Sequence, residues 1–247
     1  MRRLTMTGPI AVFSDVHGNL PGLEAILADI VRRGVSDVVC LGDLVGYGPF
    51  PNEVAQLVRE RAIPTVMGNY DQGIGFETGD CGCVYKTDEQ RAEGAVSLAW
   101  TEAVVGDETR AFLRTLEDRF VLETPAGELL AVHGSPRRIN EYLFEDRPAS
   151  AMQRMAHEYP YPAILFGHTH VPYARLVGET TFVNVGSGGR PKDGDWRVCY
   201  ALVVPRPPHD GGLDVEFVRV EYDYARLASA LGRTDLTTRF DSPARVG

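Results

Sequence analysis

Short apolar runs that stop abruptly at an acid, a histidine or a glycine recur along the 247-residue chain. The first is Ile10-Ala11-Val12-Phe13, followed by Ser14-Asp15-Val16-His17-Gly18-Asn19, and it predicts a strand that delivers Asp15 and His17 from its C-terminal end. Alternation along a strand puts residues two apart on one side, and a carboxylate beside an imidazole suits a borderline divalent cation. Leu20, Leu23, Ile26, Leu27, Ile30 and Val31 then fall at helical spacing, with Pro21 in the first turn and Gly34 past the end. This predicts a helix over about 20–33. Val38–Leu41 is continuously apolar, as in a strand covered on both faces, and ends in Gly42-Asp43. Strand, helix and parallel strand make a right-handed crossover, and such sheets place ligands at the carboxyl ends of their strands. After a loop punctuated by Gly46, Gly48, Pro49 and Pro51, a short helix carries Val54, Leu57 and Val58. Thr65–Met67 is expected to be a third strand, ending in Gly68-Asn69-Tyr70-Asp71.

Residues 72–86 have no period and predict a surface loop over the site. Ala92, Ala95, Val96, Ala99, Trp100 and Ala103 predict a helix over Asp88–Val105, and Gly106-Asp107 caps another holding Phe112, Leu113 and Leu116. Phe120–Leu122 and Leu129–Val132 flank Pro125-Ala126-Gly127, a hairpin signal whose second strand runs into His133. The stretch 137–162 is hard to read beyond a helix through Met152 and Met155. Ala163–Phe166 predicts a strand ending in Gly167-His168-Thr169-His170, and Thr181–Val185 leads to Gly186-Ser187-Gly188-Gly189-Arg190. Strands over 198–204 and 215–220 and a helix near 226–231 complete the ordered chain, whose last dozen residues are expected to fray. With no repeat or linker, a single domain over 1–247 is expected.

An apolar fraction of 44% supports a sizeable core. The net charge of -9 excludes non-specific binding to nucleic acid or anionic membrane, both of which need a positive surface field. No run has the length of a signal-peptide core or a membrane span, so the chain reads as cytoplasmic. Four cysteines fit a reducing compartment. Cys40 and Cys199 sit in apolar runs as core residues. Cys81-Gly82-Cys83 lacks the spacing and the second pair of a zinc knuckle, so a solvent-facing loop with two free thiols is expected there.

Four of the six histidines, His17, His133, His168 and His170, follow an apolar strand, whereas His157 and His209 do not. Asp15-x-His17, Gly42-Asp43, Gly68-Asn69-x-Asp71, His133 and Gly167-His168-x-His170, in that order, resemble the blocks of the calcineurin-like metallophosphoesterases over about residues 10–204. Gly46-Tyr47-Gly48 and Asn184-x-Gly186-Ser187 look closest to the small bacterial phosphodiesterase branch. The resemblance implies an α/β fold, a four-layer αββα sandwich of two mixed β-sheets flanked by helices, holding two divalent ions. Manganese or iron is favoured, and zinc, cobalt or nickel are admissible. Carried over by block, it gives one ion to Asp15, His17 and His170 and the other to Asn69, His133 and His168, with Asp43 bridging. It further implies hydrolysis of phosphodiester bonds by a bridging hydroxide. The implied partner is a small phosphoester, with a nucleotide or an activated monoester as options, and homo-oligomerisation is left open.

Many relatives carry histidine in the block where this chain has Tyr70. A phenol with pKa near 10 is a weaker acid than imidazolium, so Tyr70 is either a poor proton donor to the leaving group or a packing residue. Arg190 is either a phosphate clamp or a solvated loop arginine. Asn19 either touches the substrate or caps the helix after it. Against the enzyme stands a metal-binding scaffold or sensor without turnover. The full set of seven ligands argues for the enzyme.

Overall fold

The computed structural model describes residues 1–207, 212–236 and 240. Along the chain run β1 (Arg2–Thr5), β2 (Ile10–Phe13), α1 (Leu20–Arg32), β3 (Asp37–Cys40), α2 (Pro51–Glu60), α3 (Asn69–Gly75), α4 (Asp88–Val104) and α5 (Asp107–Leu113). They are followed by β4 (Phe120–Thr124), β5 (Gly127–Ala131), α6 (Ala149–Glu158), β6 (Ala163–Phe166), β7 (Tyr173–Val177), β8 (Thr180–Asn184), β9 (Val198–Pro205), β10 (Leu213–Val220) and α7 (Tyr224–Leu231). One sheet has the order β10-β9-β2-β3 and the other β1-β4-β5-β6-β8-β7. Both are mixed: β2 pairs parallel with β3 but antiparallel with β9, and β5 pairs antiparallel with β4 but parallel with β6.

The apolar runs determine the layering because each strand has to be covered on two faces. From β2, Ile10 and Val12 face an inter-sheet core with Val39, Phe120, Leu129 and Leu165. Ala11 and Phe13 face the other way, into a core shared with Leu23, Ile26 and Ile30 of α1 and Val54 and Val58 of α2. On the far side of the second sheet, Val121, Leu130, Ile164 and Phe182 pack on Met152 and Met155 of α6. Three successive cores separate four layers, the αββα sandwich expected. A residue such as Val12, buried completely, contributes roughly 1.5–3 kcal/mol through removal of its side chain from water.

Four elements differ from the sequence reading. Thr65–Met67 is no ladder strand: Thr65 bridges to Cys40 and Val66 to Glu117, so three residues are split between two neighbours. β1 and β7 went unpredicted. They are the two edges of the six-stranded sheet: β1 is largely exposed, and β7 buries only its first and last residues, so neither carries an apolar run. Asn69–Gly75 is helical where a loop was expected over 72–86, and Leu116 lies in the turn after α5. Of the last dozen residues, expected to fray, all but 236 and 240 fall outside the described residues, as does His209.

Candidate metal centre

The site lies at the carboxyl ends of β2, β3, β5 and β6, where both sheets give way to loops. Past Phe13 and Cys40 the two parallel strands stop their ladder, but their loops stay laced together. Asp15 N–H donates to Gly42 O at 2.9 Å, His17 N–H to Asp43 O at 2.9 Å and Gly18 N–H to Leu44 O at 2.8 Å. This lacing bends the backbone sharply. Asp15, His17, Asp43, His168 and His170 all have φ between 47° and 66°, in the left-handed region that non-glycine residues adopt at a cost on the order of 1 kcal/mol each. Asp15 and His17 therefore converge because two left-handed residues flank Val16, and strand alternation, the reason expected from sequence, ends at Phe13. Two glycines are needed where loops cross beneath the cluster. A Cβ on Gly68 would stand 2.1 Å from Asp43 N, and one on Gly167 would stand 2.2 Å from Ser14 Oγ.

The donor atoms fall into two buried groups, Asp15, His17 and His170 in one and Asp43, His133 and His168 in the other, with the ligand-type atoms of each group within 4.8 Å of one another. Asp43 Oδ2 stands between the groups, 3.5 Å from His17 Nε2 and 3.4 Å from His133 Nε2. Its other oxygen accepts from Tyr70 N–H at 2.8 Å. Asn69 joins the second group through Oδ1, 3.0 Å from His133 Nε2. Its Nδ2 donates to Cys81 O at 2.9 Å and to Cys83 Sγ at 3.2 Å, so the amide oxygen rather than the NH₂ faces the cluster.

Backbone carbonyls set the tautomers. His17 Nδ1–H donates to Val45 O at 2.9 Å, His133 Nδ1–H to Leu41 O at 2.7 Å and His170 Nδ1–H to Arg190 O at 2.6 Å, which turns each Nε2 inward, as metal-ligating histidines are usually held. Two such nitrogens, on His17 and His170, lie 3.2 Å apart. Burial pulls His17 and His168 each down to about 3, so both are neutral lone-pair donors at pH 7. Burial pushes Asp15 and Asp43 up, but the surrounding imidazoles outweigh it and hold both carboxyls below their usual range. His133 alone is raised, to about 9, because the Asp43 and Asp15 carboxylates outweigh its burial. Asp15 Oδ1 and His168 Nε2 are buried without a hydrogen-bond partner. Facing lone pairs, orphaned donors and two buried carboxylates together call for positive charge, and divalent cations fit that demand.

Asp71 has a different role. Fully buried, it accepts from the N–H groups of Asp43 (2.8 Å), Leu44 (2.9 Å), Val45 (3.4 Å) and Gly68 (3.0 Å), and so fixes the loop that carries Asp43. Burial and the charge of Asp43 push its carboxyl up to about 7.

Above the cluster opens a cavity of about 440 Å³. Tyr70 lines it, with its ring edge-on to His17 at 5.4 Å, packed over Gly46, and its hydroxyl buried without a partner. Arg190 reaches the cavity wall, its guanidinium 4.4 Å from the Tyr47 ring centroid and 2.7 Å from Glu93 Oε1, so it is a held arginine rather than a solvated one. Asn19 does not reach the cavity. Its Oδ1 caps α1 by accepting from Gly22 N–H at 2.9 Å, and its Nδ2 donates to Gly189 O at 2.8 Å, which corrects the substrate-contact reading in favour of the cap. Cys81 is buried and Cys83 lines the cavity, so the solvent-facing loop expected for them is wrong: the pair packs against Asn69. Lys192 and Tyr142, whose ring centroid is 4.0 Å from that of His168, also line the cavity. The sequence offered no signal for either, since both come from aperiodic loops.

Paired His/Asp groups between the loop ends of an αββα sandwich are the frame of a metal-dependent phosphoesterase. Residues 9–205 match the profile of the calcineurin-like phosphoesterase superfamily domain, and the chain belongs to that superfamily. It is 33% identical over 233 residues to uncharacterized protein MJ0912 of Methanocaldococcus jannaschii, with 87% of this chain and 88% of the relative covered. It is 25% identical over 192 residues to phosphodiesterase YfcE of Escherichia coli K12, covering 74% of this chain and 80% of the relative. The crystal structure of a metallophosphoesterase from Sphaerobacter thermophilus superposes with a TM-score of 0.69 at 31% identity, covering 92% of this chain and 94% of that one. These likenesses support the small bacterial phosphodiesterase branch and a hydrolase. No helix among the described residues is long and apolar enough to cross a membrane.

Proposed function

We propose that this chain is a dinuclear metal-dependent phosphodiesterase acting on small phosphodiesters, with nucleotides and activated monoesters as further substrate types. The observation that carries the reading is the position of Asp43 Oδ2, one carboxylate oxygen facing a histidine of each donor group. Asp15, His17 and His170 would hold one ion, Asn69, His133 and His168 the other, and Asp43 would be shared. Mixed nitrogen and oxygen donors favour manganese or iron, with zinc, cobalt or nickel able to substitute. When bound, the ions supply an acidified water and neutralise charge on the phosphoryl oxygens. The residues do the remaining work. Carbonyl-anchored imidazoles keep the donors in place, Asp71 fixes the Asp43 loop, and Arg190 and Lys192 offer cations to the phosphate from the cavity wall.

The test is hydrolysis of bis-para-nitrophenyl phosphate after chelation and after re-addition of manganese. Loss on chelation and recovery with manganese are expected, together with two manganese ions per chain. A protein that binds two ions but turns over no activated ester would leave the scaffold reading standing.

Tyr70 bears on which esters are cleaved. Burial, and then the charge of Tyr47, push its phenol well above its ordinary value, so it gives up a proton poorly. Rates should fall steeply as the leaving group becomes more basic, because general-acid help is typically worth about 10²–10⁴-fold. Tyr70→His is expected to raise alkyl-ester rates more than nitrophenyl-ester rates. A leaving-group series run on both forms is the check, and parallel slopes would make Tyr70 a packing residue only.

A further inference from the structure

Outside the ligand set, the least explained chemistry is the thiol pair at the cavity wall. We propose that Cys81 and Cys83 form a reversible oxidation site that converts to a disulfide with a peroxide and thereby weakens the metal group containing Asn69. The two Sγ atoms lie 2.8 Å apart, and a disulfide of about 2.05 Å needs only a small closing movement. Gly82 makes this approach possible. It turns the chain at φ 64°, and a Cβ there would stand 2.5 Å from Asn140 Nδ2. The turn is fixed on both sides by Gly82 N–H donating to Asp80 Oδ1 at 2.8 Å and Asn140 Nδ2 donating to Gly82 O at 2.9 Å. Cys83 lines the cavity, so a molecule as small as hydrogen peroxide reaches it from solvent, while Cys81 sits buried behind it.

The chemistry closes on these atoms. One sulfur of the pair attacks one peroxide oxygen, the O–O bond breaks, and the other oxygen departs as water with that thiol's proton, leaving a sulfenic acid. The partner sulfur then attacks the sulfenic sulfur, the S–O bond breaks, and the departing hydroxyl takes the one remaining thiol proton to leave as a second water. Two thiols lose two electrons, and one peroxide becomes two waters. A thiol or a thioredoxin-type reductant reverses the bond by exchange, as suits a transient disulfide in a reducing compartment.

The consequence passes through Asn69. Its Nδ2 has two acceptors, Cys81 O and Cys83 Sγ, both in the segment that moves. Drawing the sulfurs together pulls Cys83 Sγ from the amide, which then loses half of the anchorage that aims Oδ1 at His133 Nε2. Loss of such support around a ligand typically costs about 10–100-fold in metal affinity. The coupling rests on Asn69 being a ligand, as proposed above, but the oxidation itself does not.

The experiment treats the manganese-loaded full chain with hydrogen peroxide, then alkylates it, digests it with trypsin and weighs the fragments, with metal content measured after gel filtration. The tryptic fragment Ala62–Lys86 carries both cysteines. It is expected to refuse alkylation at both and to be lighter by two hydrogens than its reduced form, with dithiothreitol reversing this. Retained manganese should fall from two ions per chain toward one. Cys83→Ser keeps an acceptor for Asn69 but cannot form the bond, and should retain its manganese in peroxide. Sulfinic acid on a single cysteine with no linkage would overturn the site. A linked pair with manganese retention unchanged, or Cys83→Ser losing manganese as the parent does, would overturn the coupling. The fragment masses answer whether or not any ester is hydrolysed, so failure of the phosphodiesterase reading remains distinguishable.

Discussion

Asp43→Asn is expected to lower turnover of an activated diester by more than about 10²-fold, and by more than Asn69→Ala, whose loss should fall within about 10–100-fold. The ranking follows from position. Asp43 Oδ2 faces both donor groups, so removing its charge weakens both, whereas Asn69 offers one neutral oxygen to one of them. The isosteric amide keeps an oxygen to accept from Tyr70 N–H, which separates loss of charge from loss of fold. Metal content should follow the same order, with Asp43→Asn losing tight binding of both ions and Asn69→Ala that of one. If both variants, folded by circular dichroism, kept near-parental rates at saturating manganese, the catalytic assignment would be wrong, and the ranking with it.

The largest effect on stability is expected at Asp71. Truncation to alanine leaves four buried N–H groups, of Asp43, Leu44, Val45 and Gly68, without the acceptor they share. Each unsatisfied buried donor costs roughly 1–3 kcal/mol, and with relaxation of the loop the total should be about 3–5 kcal/mol. For a chain of this size that lowers the melting temperature by on the order of 10 °C. Asp71→Asn should also destabilise the protein, because its NH₂ would meet backbone donors where a carboxylate oxygen now accepts. Thermal denaturation of the metal-free protein measures both variants. A melting point for Asp71→Ala within about 2 °C of the parent would mean that water or a neighbouring group replaces the carboxylate at little cost.

The strands β2, β3, β5 and β6 and the helix α1 were legible from the chain itself, because the strands are short apolar runs between polar stops and α1 has a clean helical period, whereas their layering as an αββα sandwich was implied by the family resemblance. The strands left unread, β1 and β7, are sheet edges; β1 is almost wholly exposed and β7 buries only Tyr173 and Val177, so neither offers the continuous apolar run that marked the inner strands. Thr65–Met67 has the composition of a strand yet only isolated bridges, since which neighbour a segment pairs with is a tertiary matter.

The candidate ligand residues were marked by their position after apolar strands, a local signal, and by their resemblance to an ordered set of family blocks. Which atoms meet was not. The convergence of Asp15 with His17, and the delivery of His168 and His170 to different donor groups, is produced by left-handed backbone residues held by hydrogen bonds to other loops, and φ is not written in composition or periodicity. Likewise, nothing around Asp71 says that it accepts from four amides, and nothing in Cys-Gly-Cys says that its thiols lie against the amide of Asn69. Sequence alone determined the order of the buried strands and of the helices apart from α3, and the chemistry at the strand ends, because both depend on residues adjacent along the chain. The pairing of donors into two groups, the bond from Asn19 Nδ2 to Gly189 O, the salt bridge that holds Arg190 and the burial of Cys81 join segments up to 170 residues apart, and only folding brings those together.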